Sequence, residues 1–510
     1  IGYEALSAED AHGKNTAIGY LALSDLNAGA DGFNIGIGYT AGKAMTTGVQ
    51  NTIIGGLAGD ALAGGDNNTV LGYNAMGAAN GSESRNVAIG SNALAAMDSD
   101  ASNYNVAVGY DAGAAVTTGT ANTLIGALAG DAMLGASNNT ALGYAAMGAT
   151  TTGDLNVAIG DNAMLTNTTG DRNVAVGSGS LYTMNPASNV DMYNTAVGFN
   201  SGYAITTGTG NTLIGGLAGD SITTGTNNVA IGYLSLRNED AYGHNVAVGH
   251  GALMLLDAAA DAFNVAIGHE AGKAATTGIE NTLIGSLAGD ALTSGSRNTA
   301  IGYGALSAED AHGHNVAIGR NALLVLNAGA DGHNVAIGSS AGESLSTGVE
   351  NTLIGYQAGV ALTTGDNNIV IGNDASASAV DVSNEITLGD ANISAFRCAD
   401  QSIAALSDGR DKTNVQDSSY GLEFINTIRP VEFTWDFRPE NMAEAKQGKK
   451  RVGFIAQELQ EAMPNSENEI LDLVYNVNDE RIEAKYGNLI PILVKAVQEL
   501  SEKVKALENK

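Results

Sequence analysis

Twenty-three times an Ile, Val or Leu is followed by Gly on a near-fixed beat, from Gly2, Gly19, Gly38 and Gly55 to Gly372 and Gly389. Most steps are 17 residues, with occasional steps of 18, 19 or 21. A beat this short cannot delimit domains. It marks the rungs of a solenoid, each unable to bury its apolar face without a neighbour. Residues 1–390 are therefore expected to form one all-β repeat solenoid, a β-roll or β-helix of about 23 rungs.

Twenty-one rungs, those of Gly19 to Gly372, carry Asn four residues before the Gly, from Asn15, Asn34 and Asn51 to Asn368. The three residues between are apolar or Thr, as in Asn86-Val87-Ala88-Ile89-Gly90. In a strand, Val87 and Ile89 share one face and Ala88 takes the other. Both faces are apolar, which predicts a strand covered on both sides. One side lines the coil. On the other, small residues such as Ala88 would let a second backbone approach closely. The few aliphatics of one rung cannot offset the ordering of its backbone, so an oligomeric rod is expected.

Three residues after the Gly stands Ala or Ser, from Ala5 to Ala375, and one residue later the rungs alternate in pairs: Leu6 and Leu23, then Gly42 and Gly59. This makes a super-unit of four rungs, and residues 1–48 are echoed at 301–348. Thr-Thr-Gly segments such as Thr46-Thr47-Gly48 and Thr276-Thr277-Gly278 read as turns in which Gly supplies a positive φ. Stacked Asn side chains read as a structural ladder, with ion binding as the alternative. Seven His (His12, His244, His250, His269, His312, His314, His333) lie near turns, but no spacing repeats as a ligand set demands, so neither metal nor cofactor is expected. Tyr20, Tyr39, Tyr110, Phe199, Tyr233 and Tyr303, each just after the Gly, read as an exposed wall or packing element, with sugar stacking as a further possibility.

Formal net charge is −31, and residues 1–406 carry 35 Asp/Glu against 9 Lys/Arg. Such a rod repels nucleic acid and anionic lipid. No run of 18 apolar residues predicts a membrane span. The single Cys398 excludes an intrachain disulfide framework and a Cys-based zinc site. The chain opens at Ile1-Gly2, midway through a rung and without Met or signal segment. That start reads as a fragment or processed product, with an attachment or export region expected upstream.

The rod repeats resemble the heads of trimeric autotransporter adhesins, whose short coils carry a similar Asn-x-Val-Ala-Ile-Gly motif; the resemblance implies a trimeric β-roll. Beyond Gly389 the beat fails and Pro, Trp, Lys and Arg appear. Residues 391–406 read as a linker. Strand-like Pro430–Trp435 and Arg451–Ile455 lead into a helix over 486–510, so the end reads as a small α+β domain closed by a coiled-coil helix. Ile490, Leu493, Val497, Leu500, Val504 and Leu507 step by 3 and 4 and form a heptad seam. The seam calls for association without fixing its stoichiometry.

Three motifs then occur in order: Ser407-Asp408-Gly409-Arg410-Asp411-Lys412, Gly453-Phe454-Ile455-Ala456-Gln457-Glu458-Leu459, and Tyr486-Gly487 with Leu489-Ile490-Pro491. On these, residues 407–510 resemble the C-terminal intramolecular chaperone of phage endosialidases and tail fibres, a self-cleaving trimerisation domain. The resemblance implies Ser407 as nucleophile, Lys412 as its base, and Leu406–Ser407 as the bond cut, with Asp408 and Arg410 supporting the loop. A lysine base must be neutral, which requires desolvation. Residues five apart do not face each other on a helix or strand, so either the chain bends at Gly409 or Lys412 serves Ser407 of another copy.

The expectation is a structural or adhesive homotrimeric fibre on a virion tail or a cell surface. A phage tail fibre that attaches to a host receptor, glycan or surface protein, leads. Its only enzymology would be one Ser/Lys self-cleavage. The rivals are a bacterial trimeric adhesin and a glycan-degrading tailspike. The last needs paired carboxylates, whereas Asp60, Asp131, Asp220 and Asp290 of the repeated Leu-Ala-Gly-Asp turns read as fold chemistry.

Overall fold

The computed structural model describes residues 1–10, 13–393, 395, 397, 407–436, 448–463, 468–478 and 481–509. His12, Cys398, Leu406 and most of the expected linker lie outside the described residues. The chain divides into two compact units, residues 1–340 and 341–510.

In the first unit every rung from that of Gly19 onward contributes one three-residue strand, from Thr16–Ile18 to Val335–Ile337. Each strand pairs in parallel with the next, motif on motif: Val87 faces Val106, Ala88 faces Ala107 and Ile89 faces Val108. The one 21-residue step, Gly177 to Gly198, is tied by a short parallel pairing of Gly170–Asp171 with Val190–Asp191. Together with three strands of the second unit, the protein is a β-solenoid of about 22 turns spaced by some 17 residues. That is one strand fewer than the 23 glycine beats, because only Ile1 precedes Gly2.

The glycine beat has two causes. Gly126 lies at φ +135°, where L side chains are strained, and a Cβ there would sit 2.3 Å from the carbonyl oxygen of Gly143 on the next turn. Its counterparts repeat both features, as at Gly90 and Gly215. The Thr-Thr-Gly glycines correct the sequence reading: Gly48 and Gly278 are not among the positive-φ residues. They are needed for close approach, since a Cβ would meet the oxygen of Gly65 at 2.6 Å or of Gly295 at 2.3 Å.

From Gly2 to Gly355 the second and fourth residues after each beat glycine are left-handed, as at Leu57 (φ 58°) and Leu94 (φ 50°). This explains the alternation of large and small rungs. Leu at the fourth position fills the core at a conformational cost. Gly there avoids the cost but leaves space, which leucines from the turns on either side fill. Over Gly113, Leu94 and Leu124 converge to within 3.0 and 2.7 Å of where a Cβ would be.

The Asn side chains are buried and work in two directions. The Oδ1 of Asn122 accepts the backbone N–H of Asn139 at 3.0 Å, and its Nδ2 donates to the carbonyl of Ala136 at 2.8 Å. The pattern recurs from Asn34 (accepting from Asn51 N, donating to Gly48 O) to Asn281 (accepting from Asn298 N, donating to Gly295 O). Each Asn thus satisfies a donor and an acceptor that a buried coil would otherwise strand.

Strand orientation reverses the expectation for the small residues. The middle residue points into the coil, and Ala88, Ala107 and Leu124 are fully buried there. The flanking aliphatics point out, with Ile18, Leu71, Leu142, Ile214, Ile231, Ile267 and Ile337 each 36–42% exposed. The reason is volume. The interior is already filled by side chains such as Leu94 and Met97 from the far wall, so the strand most often adds Ala, and a larger residue such as Leu124, Leu213 or Ile53 where Gly113 and its equivalents make room.

The second unit begins with strands Thr352–Ile354, Ile369–Ile371 and Ile386–Leu388, paired in parallel. Its ladder runs from Asn351 through Asn368 to Glu385, whose N–H donates to Asn368 Oδ1 at 3.0 Å. An α+β region follows. Two antiparallel hairpins, Val431–Thr434 with Lys450–Gly453 and Val474–Asn478 with Arg481–Ala484, accompany helices α1 (Leu422–Ile425), α2 (Ala456–Ala462), α3 (Asn468–Leu471) and α4 (Leu489–Glu508). Phe424, Met463, Leu471, Leu473, Leu489 and Ile492 form its core. Helix α4 buries Leu489, Ile492 and Ala496 against this core and leaves the whole heptad seam, Ile490 to Leu507, 44–70% exposed.

Candidate functional site

The first C-terminal motif folds into one tight turn. Asp408 caps a 3₁₀ turn over Gly409–Asp411, its Oδ1 accepting the N–H of Arg410 at 2.9 Å. The Arg410 guanidinium returns to the same carboxylate at 2.5–3.1 Å and holds it below the usual carboxylate range. Lys412 leaves the turn in extended conformation. The reversal delivers its Nζ to Ser407, donating to Oγ at 2.6 Å. Of the two arrangements open to a pair five residues apart, this chain adopts the bend. Asp408 and Arg410 build the turn and touch neither member of the pair in the hydrogen bonds they make.

Both Ser407 and Lys412 are solvent-exposed. The pair has the distance that proton transfer requires and is open to solvent on the single chain.

The other two motifs meet each other. The N–H of Phe454 donates to Tyr486 Oη at 3.2 Å, the two rings pack edge to face at 5.5 Å, and a Cβ on Gly453 would lie 2.7 Å from that hydroxyl. Leu459 is buried, and Glu458 pairs with Arg429. These residues hold the hairpin to the start of α4. Sequence reasoning missed Glu499, whose Oε2 accepts the N–H of Leu422 at 2.8 Å and so caps α1 from α4. A lone Glu on an amphipathic helix gives no signal for that. It also missed an apolar cavity of about 400 Å³ between Ile428, Pro430, Val452, Phe454, Tyr486 and Leu493, the last a seam residue.

On the first unit the residues after the beat glycine form outward columns. Tyr3, Tyr20 and Tyr39 stack at 5.2 and 5.4 Å, so their faces are largely occupied by each other. His250 and His269 stack there at 5.1 Å, and in a second column, just before the ladder Asn, His314 and His333 stack at 5.0 Å. Burial raises the carboxyl groups of Asp60, Asp131 and Asp220 above the usual range. These repeat-linked aspartates stand several turns apart rather than in pairs. Among the described residues no helix is long and apolar enough to cross a membrane.

Residues 407–466 match the family model described as chaperone of endosialidase, which implies a self-cleaving chaperone segment. The match begins at Ser407 and stops short of the Tyr486 motif and α4. Comparison with curated proteins gives no match. A β-solenoid of about 22 turns that leads into such a segment fits the architecture of a tail fibre with an endosialidase-type chaperone, a phage-type fibre or tailspike-like structure.

Proposed function

We propose that the chain is the subunit of a homotrimeric phage tail fibre that attaches to a host surface, and that its C-terminal domain aligns the three chains and is then released by self-cleavage before Ser407. One observation carries this reading: the lone chain leaves uncovered the outer aliphatics of its strands and the whole seam of α4. Rows of exposed aliphatics repeated along an element mark an interface. A second copy of the same repeat presents a matching row at every turn.

The geometry of the turn supports the following cleavage. Neutral Lys412 takes the proton of Ser407 Oγ, and Oγ bonds to the carbonyl carbon of Leu406 while the amide nitrogen of Ser407 is protonated and leaves. Water then hydrolyses the ester, giving a carboxylate at 406 and a free amine at 407. Assembly supplies the missing desolvation, because neighbouring copies bury a pair that is exposed on one chain. Cleavage is thereby tied to correct association. The receptor is a host glycan or surface protein met by the outer columns; the acidic solenoid is unsuited to nucleic acid.

The test is Ser407→Ala, with Lys412→Gln beside it. Both variants are expected to run as one full-length band on a denaturing gel, whereas the parent separates into a rod and a C-terminal fragment of roughly a fifth of its length. Separation of the fragment in Ser407→Ala would remove the proposed nucleophile.

A further inference from the structure

Two loops of the first unit are copies that differ at one informative place: Glu239-Asp240-Ala241-Tyr242-Gly243 and Glu309-Asp310-Ala311-His312-Gly313. In both the Glu is fully buried and bolts its own loop to the 19-residue turn that follows. Glu239 accepts the N–H of Tyr242 at 3.1 Å and of Ala258 at 3.4 Å. Glu309 accepts those of His312 at 3.1 Å and Ala328 at 3.2 Å. The backbone carbonyl of the Asp is held likewise, by Thr223 Oγ1 in one loop and Thr293 Oγ1 in the other. The frame therefore folds without the histidine, and His312 is an addition to it.

That histidine is oddly placed for a structural residue. Its Nδ1 atom is buried, takes no hydrogen bond and lies 3.5 Å from Glu309 Oε1. One ring nitrogen of His312, one oxygen of Glu309 and one of Asp310 all lie within 4.8 Å of one another. We propose that Glu309, Asp310 and His312 bind a divalent transition-metal ion, Zn²⁺ by the chemistry of the set. An imidazole nitrogen with two carboxylate oxygens, each about 2.0–2.2 Å from a common ion, is a zinc donor set that leaves a position for water. Small side-chain rotations close the observed spread. The two backbone N–H groups on Glu309 supply the outer shell that fixes a ligand's orientation, and the ion offsets the charge of a buried carboxylate. The rival is a plain ion pair between His312 and Glu309.

Cobalt(II) serves as the spectroscopic probe. It is titrated into the full chain carrying H12Y, H250A and H269A, which silences the sister loop at Glu9 and the exposed His250–His269–Glu270 group. The expected result is one ion per chain with ligand-field bands. His312→Tyr, which copies the natural Tyr242 loop and so keeps the fold, weakens binding by at least about tenfold, and Asp310→Asn does the same. Unchanged binding in His312→Tyr, or none at millimolar cobalt, overturns the proposal; the second outcome leaves the ion pair.

Discussion

A single methyl group separates two kinds of glycine in this protein. At Gly126 an added Cβ meets backbone, the oxygen of Gly143 at 2.3 Å, and no side-chain motion relieves it. At Gly113 it meets the movable ends of Leu124 and Leu94, in a conformation that Leu itself adopts on other turns. Gly113→Ala should therefore cost about 1–3 kcal/mol, as overpacking does. Gly126→Ala should exceed about 4 kcal/mol and abolish soluble product. Chemical denaturation and expression yield compare them. The Asn ladder predicts an intermediate loss. Asn122→Ala strands the N–H of Asn139 and the carbonyl of Ala136, at about 1–3 kcal/mol each, read as lost hydrogen-exchange protection in the turns on either side. Glu239 predicts a pH dependence. Burial pushes its carboxyl from 4.5 up to about 7, with Asp257 and Asp240 adding to the rise. Between those values the folded state holds a proton that the unfolded state has lost. Its contribution is thus full below pH 4.5 and is lost as pH rises through 7, at up to about 1.4 kcal/mol per pH unit. Thermal unfolding should show stability rising from pH 7.5 toward 5, and Glu239→Gln should flatten that slope.

At the scale of elements, each strand is a three-residue piece with an inside and an outside, and the sequence showed two apolar faces without saying which was which. Alternation assigns residues to faces but not faces to the coil. That depends on the volume left by Leu94, Met97 and their equivalents, which no single rung reveals. The super-unit of Leu and Gly rungs was legible at once, because the alternation of large and small residues falls at one fixed place after each beat glycine. The helix seam was legible too, by its spacing. Hidden were the face of α4 that packs at home, through Leu489, Ile492 and Ala496, and the capping of α1 by Glu499. The Ser407–Lys412 pair was named from motif resemblance, and the bend that joins them was one of two options until the 3₁₀ turn settled their distance. A metal-binding spacing was invisible because Glu309, Asp310 and His312 lie in one tight loop, not on a repeating interval. On the proposed assembly, Leu500→Asp places a charge at mid-seam and should leave the chains unassembled, and hence uncleaved, while α1 and α4 still pack. Size-exclusion chromatography with a gel of the same fractions reads both effects.

At the scale of the molecule, a repeat this regular specifies register weakly, since a slip of one super-unit preserves most contacts. In the proposed assembly a terminal clamp that associates first would remove that ambiguity, and its later release would leave a fibre held by the barrier to unzipping three long ladders. The proposed fibre requires that the outward aliphatics of the strands be buried between copies of this chain. Native mass measurement of the purified protein decides the point. Three rods per particle are predicted, with the particle lost when residues 407–510 are deleted before synthesis; a soluble, regular single-chain solenoid from either form would contradict it.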